Sequence, residues 1–157
     1  MCPRLPDPRR TTESGRSRPY RSTALRLFYR DDVDDSVLCA ISDRWWGEIW
    51  RDGNLDAVDE VLTDPFVRHS SVGSSVSPRQ EYKKMLAEFQ RTLCHPETTI
   101  DDRVVSGDRV WTRATSKGLN RETGENTVVS WMLVQRIADG RIAEHWVLTV
   151  RGVDWTA

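Results

Sequence analysis

The chain has 157 residues, 23 of them basic and 24 acidic, with a net charge of −1 at neutral pH. That length suffices for one domain with a real core, and no apolar run is long enough to span a membrane. Its three cysteines, Cys2, Cys39 and Cys94, are odd in number and far apart; this argues against a disulfide framework or a zinc-ligand spacing and points to a reducing, cytoplasmic compartment.

The near-neutral balance hides an asymmetry. Residues 1–30 hold eight arginines against Asp7 and Glu13, so this segment carries +6 and the remainder −7. A nucleic-acid-binding domain concentrates positive charge on its folded part, so no nucleic-acid partner is expected. Pro, Ser, Thr and Arg dominate residues 1–30, and nothing before Leu25 could bury a face. The expectation is a disordered tail over 1–30 and a folded domain over 31–157. An Arg-rich transit peptide is disfavoured by the prolines, and no apolar segment follows Arg9-Arg10 to make an export signal. A translation start near Val33 is the third reading of this tail.

In chain order, Asp34-Asp35-Ser36 offers acceptors for a helix N-terminus. Val37, Ile41, Trp45 and Ile49 recur at helical spacing, with Trp46 and Trp50 beside them, which predicts a helix over 36–51. Asp52-Gly53-Asn54 stops it. A short second helix is predicted over 55–62, then a strand at Phe66-Val67-Arg68-His69 and a polar loop over 70–76. Ser77-Pro78-Arg79-Gln80 predicts a capping box with proline in the first turn. Tyr82, Met85, Leu86, Phe89 and Leu93 form one face of the third helix, which ends near His95-Pro96.

The period then changes. Residues 98–105, 110–117, 127–137 and 142–150 read as strands, punctuated by Ser106-Gly107-Asp108, Glu122-Thr123-Gly124 and Asp139-Gly140. Helices first and an antiparallel meander last is an α+β pattern: three helices on a strongly curved, mainly antiparallel sheet. Asp139-Gly140 marks a tight hairpin. Period two puts Glu144, Trp146, Leu148 and Val150 on one face of the last strand, and His145, Val147, Thr149 and Arg151 on the other. Large apolar groups with one carboxylate suggest a strand that lines a pocket. Trp131 and Trp146 are expected on that side. Met132, Val134 and Val147 are expected on the other, where apolar groups suggest a second copy and hence a homodimer.

The ordered pieces DGNLDAVDEVL, DPFVRHSS, VVSGDRVWTRAT and QRIADGRIAEHW resemble the NTF2-like superfamily, which includes ketosteroid isomerase, the SnoaL-like polyketide cyclases, scytalone dehydratase and limonene epoxide hydrolase. The resemblance covers roughly residues 36–150. It implies a conical α+β barrel with a deep apolar pocket, dimerising through the outer face of its sheet. Carried over residue by residue, the isomerase's base aspartate falls on His69, its oxyanion tyrosine near Trp46 and its protonated aspartate near Leu133. The aspartate common in the cyclases falls on Val150. The Asp-Arg-Asp set of the epoxide hydrolase finds no match.

His69 is therefore the first candidate base, since a neutral imidazole serves that role near pH 7. The alternative is a structural histidine bonding the Ser70-Ser71 loop. Glu144 is the candidate to fix its tautomer or act as the acid; the alternative is a solvated carboxylate. Arg113, in an otherwise neutral strand, could hold an enolate or carboxylate, or simply pair with a nearby acidic group. Trp46, Trp50, Trp111, Trp131 and Trp146, with Tyr82, are candidate walls for a flat apolar ligand, and core filling is the alternative for each. Trp46 and Arg113 are the candidate oxyanion partners. No nucleophile-elbow spacing surrounds Ser70 or Ser71, so a serine triad is not expected. His69, His95 and His145 lack metal-ligand spacing and there is no phosphate-cradling glycine loop, so no metal or cofactor is expected. The expected function is cofactor-free acid–base chemistry on a small apolar, cyclic carbonyl or polyketide-like molecule by cyclisation, isomerisation or dehydration. A non-catalytic ligand-binding or dimerisation module is the alternative.

Overall fold

The computed structural model describes residues 34–156, apart from the side chains at 94 and 95. The tail expected over 1–30 lies outside the described residues.

The first helix, α1, spans Asp35–Arg44, and Asp34 caps it by accepting from the Ser36 amide at 2.9 Å. The predicted single helix over 36–51 divides at Trp45, where the chain continues as a π-helix over Trp45–Arg51. A wider turn changes which side chains share a face. Here Trp45, Trp46, Ile49 and Trp50 are all buried. On α1 the buried stripe is Leu38 and Ser42, while Val37, expected on it, is exposed. A four-residue helix α2 (Val58–Val61) leads into β1 (Leu62–Ser70).

The predicted polar loop over 70–76 is instead a turn and a short strand, β2 (Gly73–Ser77), hairpinned to β1. Gly73 sits at φ 118°, a conformation that favours glycine. Helix α3 spans Arg79–Thr92. Its expected capping box does not form: Pro78 occupies the cap with no side-chain bond, and the Arg79 amide donates to Asp64 Oδ1 at 3.2 Å. Then β3 (Cys94–Ser106), β4 (Arg109–Leu119), β5 (Asn126–Ala138) and β6 (Arg141–Arg151) form the meander.

The six strands lie in the order β2-β1-β6-β5-β4-β3, with β1 parallel to β6 and the other pairs antiparallel. The sheet is open, with β2 and β3 as its edges, so it does not close into the barrel that the resemblance implied. The β5–β6 turn takes positive φ at both Asp139 (51°) and Gly140 (72°), as a two-residue hairpin requires.

Two residues beyond that turn the register changes. Ala138 pairs with Arg141 and Ile137 with Ile142, but Arg136 pairs with Glu144. Ala143 is the extra residue of a β-bulge, and Ile142 and Ala143 are buried in succession. A one-residue shift sends every later side chain to the opposite face. Trp146 therefore stands beside Val134, while Trp131 stands beside Thr149 on the other face. The expected shared face of Trp131 and Trp146 is corrected accordingly, and Val147 goes with Trp131 toward the helices.

Candidate functional site

The sheet's two faces differ in chemistry. Toward the helices, cross-strand rows run His145–Gln135–Val110 and Val147–Leu133–Thr112, followed by Trp131–Ala114. Away from them, a charged row Glu144–Arg136–Arg109 is followed by His69–Trp146–Val134–Trp111–Val104 and then Leu148–Met132–Arg113–Asp102. These last two rows line an open groove of about 480 Å³. It lies on the outer face of the sheet, not in a cone under the helices.

His69 closes one end of the groove. Its Nε2 lies 2.6 Å from Glu144 Oε1, and its Nδ1 lies 2.6 Å from Ser74 Oγ. The ring stacks on Trp146 with centroids 5.0 Å apart and planes 13° from parallel. Parallel pairing of β1 with β6 places His69 beside Trp146, and the β1–β2 hairpin places it opposite Ser74. Arg136 Nε donates to the other oxygen of Glu144 at 2.8 Å. Burial opposes ionisation of Glu144, but the hydrogen bonds from Arg136 and His69 outweigh it and hold the carboxyl below its usual range. Glu144 is thus an ionised carboxylate that accepts from Nε2–H, which leaves the Nδ1 lone pair as the basic site. The Arg109 guanidinium carbon lies over the Trp146 ring, 5.7 Å from its centroid, a cation–π distance.

His69 and Glu144 are brought together, but Arg113 is not part of their cluster. It lies three strands away, about 15 Å by ordinary strand spacing, at the far part of the groove. The expected pairing with an acid is present: its Nη1 is 3.6 Å from Asp101 Oδ2. Asp101 is itself the extra residue of a bulge in β3, between the pairs Ile100–Ala114 and Asp102–Arg113. Its carboxylate is buried and accepts from Thr115 Oγ1 at 2.9 Å.

The six aromatic candidates divide between the two faces. Trp111 and Trp146 line the groove. Trp46, Trp50, Trp131 and Tyr82 are buried on the helix side. There Trp50 and Trp131 meet edge to face at 4.7 Å, and both donate their indole N–H to Ser116 Oγ, at 3.1 and 3.0 Å. Trp50 is also within 3.1 Å of Thr98 Oγ1. Trp50 and Trp131, satisfied and interlocked, are core, and Trp46 packs edge to face on Trp131 at 6.1 Å although its indole N–H has no hydrogen-bond partner among the described residues. Trp46 has the sheet between it and His69, which removes it as an oxyanion partner of that residue. Burial pushes the Tyr82 phenol up to about 12 and the His145 imidazole down to about 3, Arg68 adding to the latter effect. His145 is therefore neutral, with the Gln135 amide nitrogen 3.1 Å from its Nε2.

Arg136, Arg109 and Ser74 are the site residues that sequence reasoning missed. With Ala143 in the chain, the Arg136–Glu144 contact requires that residue to be bulged out of the ladder. Ser74 had a legible signal, since a two-residue turn at Ser71-Val72, just before Gly73, sets it across from His69. Among the described residues no group of three or more His, Cys, Asp or Glu side chains could hold a metal ion, and no helix is long and apolar enough to cross a membrane.

A profile of the SnoaL-like domain matches residues 43–145. No curated protein matches the sequence significantly. Among solved structures, the chain is similar to a proposed SnoaL-like polyketide cyclase from Jannaschia sp. CCS1, with a TM-score of 0.66 and 20% identity over 73% of this chain and 85% of that one. It is similar to IdmH, a proposed polyketide cyclase from Streptomyces antibioticus, with a TM-score of 0.62 and 22% identity over 71% and 91% of the two chains. An LEH-like epoxide hydrolase of M. tuberculosis aligns with a TM-score of 0.61 and 17% identity over 73% and 84%. At these identities the likeness establishes the NTF2-like fold, an α+β arrangement of few helices on an open six-stranded sheet.

Proposed function

Since the chain belongs to the SnoaL-like domain family, we propose that it is a small-molecule enzyme performing cofactor-free acid–base chemistry, with His69 as the base. The observation that carries this reading is the 2.6 Å contact between His69 Nε2 and Glu144 Oε1 at the end of an apolar groove. Glu144, anchored by Arg136, fixes one tautomer, and the Trp146 stack fixes the ring plane. Nδ1 then faces a substrate once the Ser74 hydroxyl turns aside. Trp111, Val134, Met132 and Leu148 supply the wall for an apolar, cyclic or polyketide-like carbonyl compound. Proton abstraction next to the carbonyl serves cyclisation, isomerisation and dehydration alike. Arg113, at the groove's far part, suits a distal carbonyl or carboxylate of the substrate.

The test is hydrogen–deuterium exchange next to the carbonyl in a panel of cyclic ketones, followed by NMR. The parent protein should catalyse exchange, and His69→Ala should slow it about a hundredfold, the scale of general-base catalysis. Exchange at the parental rate in His69→Ala would remove His69 as the base.

One observation favours a second role for the same face. Trp111, Met132, Leu148 and Val104 are all exposed there, at 48, 46, 58 and 56%. Such a patch suits a partner surface, and a second copy packed on it would make a homodimer and roof the groove. In the non-catalytic alternative, dimerisation or ligand binding is all this face does.

A further inference from the structure

We propose that Ser74 is a nucleophile activated by His69 and Glu144, which gives this protein an acyl-transfer activity on esters of apolar acids. No nucleophile elbow precedes His69, yet a hydroxyl, an imidazole and a carboxylate stand in series. Ser74 Oγ is 2.6 Å from His69 Nδ1, and His69 Nε2 is 2.6 Å from Glu144 Oε1. Arg136 holds the carboxylate from behind at 2.8 Å. A serine is a weak nucleophile until a base takes its proton and a third group orients that base. All three roles are filled here. The ring nitrogens serve in the opposite sense from the serine proteases, which leaves the proton path intact.

The placement follows from the hairpin. Ser70 pairs with Gly73 across the Ser71-Val72 turn, so His69 and Ser74 are direct cross-strand partners. Ser74 is exposed on β2, an edge strand. A substrate can reach it, and an edge presents N–H groups without a ladder partner, which can serve an oxyanion. The adjacent groove, with His69, Ser70, Trp146 and Leu148 in its wall, fits an apolar acyl chain. In the first step Ser74 Oγ bonds to the ester carbonyl carbon while its proton passes to His69 Nδ1. The carbon–alkoxide bond breaks, and the departing oxygen takes that proton. Water then attacks the acyl carbon and gives a proton to Nδ1. Ser74 Oγ leaves with that proton, so ester and water become acid and alcohol.

The proposal rests on the same His69–Glu144 pair as the proton-abstraction reading, and the experiment separates the two. The full chain is assayed with p-nitrophenyl butyrate and labelled with a fluorophosphonate, with peptide mapping by mass spectrometry. The expected result is p-nitrophenol release, a label on Ser74, and a loss of about a hundredfold in both Ser74→Ala and His69→Ala, the scale of general-base catalysis for the latter. Ser74→Cys should form a thioester adduct visible in the intact mass. A label on another serine overturns the proposal, and mapping of the parent chain decides this even where a variant fails to fold. Hydrolysis at the parental rate in Ser74→Ala but not in His69→Ala also overturns it, while leaving His69 as a base toward water. Parental hydrolysis rates in both variants overturn the acyl-transfer proposal alone, since the proton-abstraction reading stands or falls on deuterium exchange in His69→Ala.

Discussion

Trp131 and Trp146 face opposite sides of one sheet because a single residue, Ala143, is inserted between the hairpin turn and the site. Unbulged pairing from the Asp139-Gly140 turn would put Trp146 opposite Leu133, on the face of Trp131. With the bulge, Trp131 joins the core and Trp146 joins His69 and Glu144. The insertion thus separates the packing surface from the candidate reaction surface.

Deleting Ala143 should leave both faces as they are. Ile142 and Glu144 then become chain neighbours and keep their partners Ile137 and Arg136, so Glu144 still faces outward and His145 still faces the helices. We expect the deletion variant to fold with its thermal midpoint lowered by only a few degrees, the scale of about one kcal/mol in a domain of this size. Circular dichroism melts check this. A midpoint lower by roughly ten degrees or more would show that the bulge itself, and not only the pairing beyond it, is needed for packing.

Ser116 should matter more than Thr98. Ser116 Oγ accepts from both Trp50 and Trp131, whereas Thr98 Oγ1 meets Trp50, which has Ser116 as well, and lies 2.8 Å from Ser116 Oγ. Ser116→Ala leaves the buried Trp131 N–H without its acceptor, a cost of about 1–3 kcal/mol. Thr98→Ala should cost less. Urea unfolding of the two variants decides the order, and equal costs would count against the shared acceptor.

His145 links stability to acid. Burial holds its folded imidazole down at about 3, while an unfolded histidine titrates near about 6.5. Between these limits the unfolded chain binds a proton that the folded chain does not. Stability therefore falls as pH drops through that window, by up to about 1.4 kcal/mol per pH unit for this one group. The carboxylates are common to both chains in a comparison of the parent with His145→Gln. The variant's midpoint should decline less steeply from about pH 7 to about pH 4. Parallel slopes would mean that the folded ring accepts the proton readily.

The exposed face should carry the assembly. The prediction is a dimer at micromolar concentration in sedimentation, and a monomer for Leu148→Glu, which sets a charge among Trp111, Met132 and Val104. A parent chain that sediments as a monomer would sink this idea.

Arg136 is a positioning residue in the proposed site. Arg136→Gln removes the charge that helps to hold Glu144 ionised. We expect kcat to fall about tenfold with KM little changed, because the groove wall stays intact. A rise in KM at constant kcat would instead place Arg136 in ligand binding.

The elements were legible where periodicity and punctuation agree. Asp34 caps the first helix, Asp139-Gly140 makes the last turn, and the strands follow in the expected order. What failed was each place where one extra residue resets a phase. The π-helix at Trp45 and the bulges at Asp101 and Ala143 are local insertions relieved by tertiary packing, and no composition marks them. The Ser77-Pro78 cap failed for a related reason. A distant carboxylate, that of Asp64, reaches the Arg79 amide first. Of the candidate site, His69 and Glu144 were found as residue types. Their partners Ser74 and Arg136 needed strand registers that the hydrophobic pattern leaves open.

The division of the indoles gives the protein a two-colour reporter. Trp45, Trp46, Trp50 and Trp131 sit in dry surroundings and emit toward the blue, while the half-exposed Trp111 emits toward the red. A molecule entering the outer groove touches Trp111 and Trp146 first, so it quenches the long-wavelength side of the spectrum. One that forces its way under the helices disturbs the stacked Trp45–Trp50 pair, whose planes lie 5° from parallel, and alters the short-wavelength side. The colour of the light lost in a titration therefore tells which face of the sheet a ligand has entered, before the ligand itself is identified.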